Sequence, residues 1–288
     1  MPAAASQPHW PTVAIVGVGL IGGSVGLALK ARRLAARVVG VGRSAASLAE
    51  ARRLGAVAET TTDLGRAVAD ADVVVVTTGV GSIPGLLETI DAAVRPGTLV
   101  TDAGSTKGTI VSAWERSRRT RRGRFVGAHP IAGSHRRGPA AAAADLFQGR
   151  VTVVTPDRKT PAADVEDAAD FWSALGSTVF TMPPKDHDRL LAATSHAPHV
   201  IAAAVAAATP PEARQFTAGG WRDTTRIAAG DPELWADILL DNAAPVAKAL
   251  SRVAAATEKM LAAIEKQDRR KLVALLAAAK EGRDAVGN

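Results

Sequence analysis

Short uncharged runs rich in β-branched residues recur along the chain: Val13–Val16, Val38–Val41, Val73–Val76, Leu99–Thr101, Phe125–Val126, Val151–Thr155 and Thr178–Thr181. Runs without polar alternation suit strands covered on both faces, the pattern of a largely parallel sheet with helices on either side. Between them lie stretches of helical character: one from residue 20 to about Arg33, Glu50–Leu54 closed by Gly55, and Ala162–Leu175. Pro183-Pro184 ends this alternation, and from about Asp186 onward no run reads as a strand. His187–Ala208 is long, apolar and alanine-rich, and Pro198 inside it should kink or split a helix there. Asp231-Pro232 supplies an N-cap followed by proline at the first helical position, which puts Trp235 near the first turn of a new helix. Helices follow to about Ala285, with alanine runs at 254–256 and 277–279 that allow close packing.

The first strand leads straight into Gly17-Val18-Gly19-Leu20-Ile21-Gly22, a G-x-G-x-x-G between a strand and a helix. In that context Gly17 permits the tight turn, Gly19 lets the backbone approach a pyrophosphate, and Gly22 lets helix and strand pack closely. The amides of Leu20, Ile21 and Gly22 then face the phosphates. The expected fold is therefore α/β, with a Rossmann-type dinucleotide-binding domain over 11–182 followed by an all-helical domain over 183–288. After the second strand stand Gly42-Arg43-Ser44, where folds selecting NAD usually place an acid for the ribose hydroxyl. Arg43 beside the small Ser44 suits a 2′-phosphate, which favours NADP, with NAD as the alternative.

Composition narrows the class. The 288 residues include no cysteine, which excludes disulfides and thiol chemistry and agrees with a cytoplasmic setting. Residues 1–10 lack the pattern of a signal peptide, and no run of about 18 apolar residues is evident, so no membrane span is expected. The net charge of +7 is densest at Arg116–Arg124. Without interleaved aromatics that run reads as a solvated helix end rather than a nucleic-acid surface, and the general positive field favours a small anionic substrate.

The candidate chemistry centres on Gly127–Ser134, where His129 is expected in a loop after a short strand, able to exchange a proton near neutral pH. Upstream, Thr101-Asp102-Ala103-Gly104-Ser105 ends another strand. Ser105 there is placed to cap the following helix, to touch a substrate, or both. His129-Pro130-Ile131-Ala132-Gly133, Ser195-His196-Ala197-Pro198-His199 and Gly219–Arg226 (GGWRDTTR) follow in order. Together with the glycine loop, these motifs resemble the prephenate/arogenate dehydrogenase family of tyrosine biosynthesis, over nearly the whole chain.

The resemblance implies oxidative decarboxylation of a ring, coupled to hydride transfer to a nicotinamide. It implies that His129 accepts the ring hydroxyl's proton, that Ser105 shares that contact, and that His199 and Arg226 bind the anionic ends of the substrate. Ser134 would line the same site, Trp235 would shape the pocket from the partner subunit, and the helical domain would pair two subunits. Read as residues alone, His196 suits a satisfied core histidine, Arg226 an ion-pair partner of Asp223, and Trp235 plain core. No acid has the spacing to complete a metal site with the histidines.

One departure concerns specificity. After Gly133-Ser134, where many members of that family carry an acid, this chain has His135-Arg136-Arg137. Without that acid an amino group loses a partner, which tilts the expected substrate from arogenate toward prephenate. The chain stops soon after the helical region, so any tyrosine feedback is expected to act at the active site. Two other readings are a β-hydroxyacid dehydrogenase or imine reductase and a non-catalytic dinucleotide sensor. A β-hydroxyacid dehydrogenase would carry a catalytic lysine in the long helix, and 187–208 has none; neither enzyme should have the His129 loop.

Overall fold

The computed structural model describes residues 9–116, 121–134 and 136–287. An eight-stranded sheet organises the first part of the chain. Its strands are β1 (Trp10–Val16), β2 (Ala35–Val41), β3 (Glu59–Thr61), β4 (Val73–Val76), β5 (Leu99–Asp102), β6 (Arg124–Pro130), β7 (Val151–Thr155) and β8 (Thr178–Thr181). They lie in the order β3-β2-β1-β4-β5-β6-β7-β8. Every neighbouring pair is parallel except β6 and β7. The helices between strands are α1 (Leu20–Ala31), α2 (Ala45–Arg53), α3 (Leu64–Val68), α4 (Ile83–Ala93), α5 (Gly108–Arg116) and α6 (Ala162–Ala174).

The valine run of β4 shows why an uncharged strand belongs at the centre. Val73 and Val75 pack on the side that also holds Leu29, Phe171 and Trp172, while Val74 and Val76 pack on the side of Leu87, Ile90 and Trp114. Successive side chains alternate faces, so both faces must be apolar, and each fully buried valine contributes about 1.5–3 kcal/mol. The seven strands expected from the sequence are present. The unexpected one, β3, is a short polar strand at the sheet's edge with a partner on one side only.

His129 departs from expectation. It is a residue of β6, not of a loop, because the antiparallel neighbour β7 extends the ladder: His129 pairs with Val153 and Pro130 with Thr152. The strand therefore carries the imidazole on a rigid element at the carboxyl edge of the sheet, where ligands bind in open α/β folds.

From Pro184 onward every described element is helical. Helices α7 (Pro184–Leu191) and α8 (Ala197–Ala208) are joined through a π-helical turn at Ala192–His196. Pro198, expected to kink or split the helix, does not split it: a π-helical turn directly precedes it and the helix runs on. Proline removes a donor and crowds the carbonyl of the preceding turn, and a widened turn there accommodates it. The continuous 25-residue helix Pro184–Ala208 is long and apolar enough, by length and a mean hydropathy of 1.4, to cross a membrane, contrary to the expectation that no such run exists. A third of that window is buried inside the protein, and the buried face carries His196 and His199.

Four more helices complete the fold: α9 (Gly219–Thr225), α10 (Pro232–Asp241), α11 (Ala243–Glu265) and α12 (Arg269–Asp284). As expected, Asp231 caps α10, accepting from Leu234 N at 2.8 Å, with Pro232 behind it. Leu261, Ile264, Val273 and Leu276 on α11 and α12 are each at least 50% exposed, an apolar face without cover in the single chain.

Candidate active site

At the β1–α1 junction the three glycines meet three different demands. Gly17 has φ +95°, in the left-handed region. A Cβ on Gly22 would lie 2.0 Å from the Gly17 carbonyl oxygen and 2.9 Å from Ile15. A Cβ on Gly19 would meet nothing within 4 Å, so the space in front of it is open. Gly19 caps α1 without a side chain, and the amides of Leu20, Ile21 and Gly22 have no acceptor within the helix. This open, amide-lined cradle fits the pyrophosphate of a dinucleotide. Beyond β2, Arg43 is exposed, while the Ser44 hydroxyl caps α2 by accepting from Ser47 N at 3.2 Å.

The loop after β5 is set by a buried charge pair. Lys107 and Asp102 have wholly buried side chains in contact, and Lys107 Nζ also donates to the Ala128 carbonyl at 2.8 Å. The other Asp102 oxygen accepts from Ala128 N at 3.0 Å, so the pair grips both backbone groups of the residue before His129. Ser105 sits half-buried between these anchors. It does not cap the next helix: α5 begins at Gly108, and the amides of Lys107 and Gly108 donate instead to Asp188 of α7, at 2.8 and 2.7 Å. A carboxylate is the stronger acceptor at a helix N-terminus, where the dipole favours negative charge.

Asp188 links this loop to the histidines. His187 Nδ1 lies 2.8 Å from Asp188 Oδ1, and His187 Nε2 lies 2.9 Å from His129 Nδ1. Burial works against ionisation of Asp188, yet the hydrogen bond from His187 and the two amides hold its carboxyl below the usual range. Burial, with His187, Lys107 and His196 nearby, pushes half-buried His129 well below the usual imidazole range, so it stands neutral and able to accept a proton. His196 is a satisfied core histidine, its Nδ1 paired with Asn242 Nδ2 at 3.1 Å and its pKa pushed down to about 4 by burial.

The second cluster lies on α8 and α10. His199 is buried, and its Nδ1 is without a partner among the described residues. The Trp235 ring stacks on it with centroids 3.6 Å apart and planes 13° from parallel. Trp235 thus packs against His199 of its own chain. The indole also reaches His196 edge-on at 6.2 Å, which brings both clusters together.

Arg226 is exposed in the turn that packs on α8, and among the described residues no ion pair joins it to Asp223. Ser134 is exposed and accepts from Arg136 N at 3.1 Å. Its loop reaches the helical region through an ion pair between Arg137 and Asp231. The structure does not join Ser134 to the histidines.

His135 lies outside the described residues, as do residues 117–120 of the basic run. Two described arginines of that run are engaged: Arg121 lies over the Trp114 ring, and Arg124 pairs with Asp164 and Asp167. Among the described residues no cluster of three or more His, Cys, Asp or Glu is placed to hold a metal ion.

Reading by motif missed His187, Asp188, Lys107 and Asn242. The stretch Lys185-Asp186-His187-Asp188 looks like the solvated start of a helix, and only the unusual density of titratable residues beside an apolar run marked it.

Comparison with known proteins agrees with this geometry. A family model described as "Prephenate dehydrogenase, nucleotide-binding domain" matches residues 25–181, and "Prephenate dehydrogenase, dimerization domain" matches 183–278. The chain is 34% identical to a cyclohexadienyl dehydrogenase of Zymomonas mobilis, over 89% of each. It is 32% identical to a prephenate dehydrogenase of Bacillus subtilis, over 96% of this chain and 76% of the relative. A crystal structure of Aquifex aeolicus prephenate dehydrogenase in complex with hydroxyphenyl propionate and NAD+ superposes with a TM-score of 0.87 at 29% identity, covering 99% of both chains. The chain belongs to the prephenate dehydrogenase family of oxidoreductases.

Proposed function

We propose that this chain converts prephenate to 4-hydroxyphenylpyruvate with loss of carbon dioxide, using a nicotinamide dinucleotide held by Gly17, Gly19, Leu20, Ile21 and Gly22. The observation that carries the reading is His129: a neutral imidazole on a rigid strand end, with Nδ1 engaged by His187 and Nε2 without a partner among the described residues. The cofactor, when bound, supplies the hydride acceptor. His129 Nε2 takes the hydroxyl proton as the ring carbon loses hydride and becomes a carbonyl carbon. The bond to the ring carboxylate then breaks, its electron pair enters the ring, and the resulting phenolate recovers the proton from His129. Ser105 shares the contact to the ring oxygen.

His199, held flat against Trp235, and the exposed fork of Arg226 receive the substrate's carboxylates, and Ser134 lines the rim. The lack of an acid after Ser134 favours prephenate over arogenate. Arg43 beside Ser44 favours NADP; the related Aquifex structure was solved with NAD+. The dinucleotide domain spans 11–182 and the helical domain 183–288. Two copies pair through the apolar face of α11 and α12, in line with the family's dimerization domain.

Reduced-nicotinamide absorbance, with prephenate and arogenate each crossed against NAD and NADP, tests the reaction and both preferences at once. His129→Asn should lower kcat about 10²–10⁴-fold and leave dinucleotide binding unchanged. Folded protein silent in every combination would overturn the proposal.

A further inference from the structure

The proposed chemistry needs a lone pair on one nitrogen of His129, and a neutral imidazole has only one. We infer that His187 and Asp188 are positioning residues that hold His129 in the tautomer protonated on Nδ1, leaving Nε2 free for the substrate's hydroxyl proton. The inference deepens the function proposed above and rests on it for its catalytic meaning. Its structural content stands on the hydrogen-bond chain alone.

The chain is read from its fixed end. Asp188 accepts from three N–H groups: Lys107 N at 2.8 Å and His187 Nδ1 at 2.8 Å on Oδ1, and Gly108 N at 2.7 Å on Oδ2. Two of these donors are backbone amides that cannot reverse, so the carboxylate is the acceptor throughout and the His187 bond must run from Nδ1–H. A neutral His187 that donates from Nδ1 presents Nε2 as an acceptor. The atom 2.9 Å away is His129 Nδ1, which must then carry hydrogen. Imidazole side chains free in water favour hydrogen on Nε2, so the network imposes the less common form.

The chain has little room to rearrange. His187 is 0% exposed and Asp188 8% exposed. The Asp188 carbonyl accepts from Asn242 Nδ2 at 2.8 Å, which ties α7 to the start of α11. The two imidazoles meet edge to face, with centroids 5.1 Å apart. The titratable groups that face His129 are His187, Lys107 and His196, and none of them contacts its Nε2. His129 belongs to the sheet, whereas His187 and Asp188 belong to the helical region, and Asp188 also holds the first amides of α5. The tautomer is therefore set across the junction between the two regions, and only when they are docked.

Nitrogen-15 NMR of histidine-labelled protein tests this directly, with the His129 signals identified by their loss in His129→Asn. The expected spectrum has His129 protonated on Nδ1 in the wild type and in His187→Gln, whose amide oxygen can accept the same bond. In His187→Leu the hydrogen should move to Nε2. The kinetic counterpart is a fall in kcat on the order of 10²–10⁴-fold for His187→Leu, with KM for the dinucleotide unchanged and at least tenfold recovery in His187→Gln. Wild-type His129 protonated on Nε2, or His187→Leu turning over within about threefold of wild type, would overturn the inference. An Nδ1-protonated His129 in protein inactive on both ring substrates would overturn the proposed function and leave the tautomer standing.

Discussion

Replacing Lys107 with methionine isolates the worth of the buried charge pair that holds the active-site edge. Methionine keeps the length of the aliphatic stem, so no sizeable cavity opens, and the loss is electrostatic. Asp102, 0% exposed, would keep two amide bonds, from Ala128 N at 3.0 Å and Gly104 N at 2.8 Å. It would lose its only cationic partner among the described residues, and the Ala128 carbonyl would lose its 2.8 Å bond from Nζ. Removing one member of a buried pair strands the other, at a cost of about 3–5 kcal/mol. The two surviving amide bonds place this case at the lower end, about 3 kcal/mol, or a fall in Tm of roughly 6 °C for a chain of this size.

Urea unfolding followed by tryptophan fluorescence measures it. Trp172 is fully buried in the same part of the core, with Nε1 on Thr101 Oγ1 at 3.3 Å, so its emission follows this region. A second variant completes the argument. Asp102→Asn together with Lys107→Met removes the stranded charge, and should be more stable than Lys107→Met alone by at least 1 kcal/mol, although it gives up one amide bond. A loss below about 1 kcal/mol in Lys107→Met, the level of an exposed ion pair, would refute the reasoning, as would a double variant worse than the single.

Two further outcomes follow from the glycine cradle and from the buried histidine. Gly19→Ala has backbone angles any residue can adopt and open space for its methyl, so Tm should stay within about 1 °C while dinucleotide affinity, read by fluorescence titration, falls at least tenfold. Gly22→Ala puts its methyl 2.0 Å from the Gly17 carbonyl oxygen and should cost about 1–3 kcal/mol or more even without ligand; equal stability for the two variants would sink the distinction. His196 titrates near 4 when folded against 6.5 when free, so between those values the unfolded chain binds more protons. Stability from this source is therefore full above pH 6.5 and falls as pH drops toward 4, by about 3 kcal/mol. His196→Gln should lose correspondingly less between pH 7 and 4.5 in urea titrations, and parallel losses in both proteins would contradict the assignment.

Much of the fold was readable because the strands that matter are covered on both faces. Val73–Val76 admits no interpretation but a central strand, since each face of the sheet demands an apolar residue at every second position. The polar edge strand Glu59–Thr61 carries no such demand and was missed. The glycine loop was readable for a related reason: Gly17, Gly19 and Gly22 meet constraints that arise within one turn of chain, from φ +95° at Gly17 to the 2.0 Å approach at Gly22. Asp231-Pro232 is equally local, and the helix it starts is where the dipeptide places it.

The polar half of the site follows a different logic. A charged residue looks alike in sequence whether it is solvated or buried, and what separates the two is the partner. Asp188 finds its partners at Lys107 and Gly108, 81 and 80 residues away, and His187 finds His129 at 58. None of those separations has a period that pattern reading could detect. The same distance explains why Ser105 is not the cap: the start of α5 lacks a good local acceptor, and the acceptor arrives from another part of the chain. A helix N-terminus whose first amides have no local cap, followed much later by an acid beside a histidine at the head of an apolar helix, is the only trace such an arrangement leaves. Here that trace leads to the residues that orient the base.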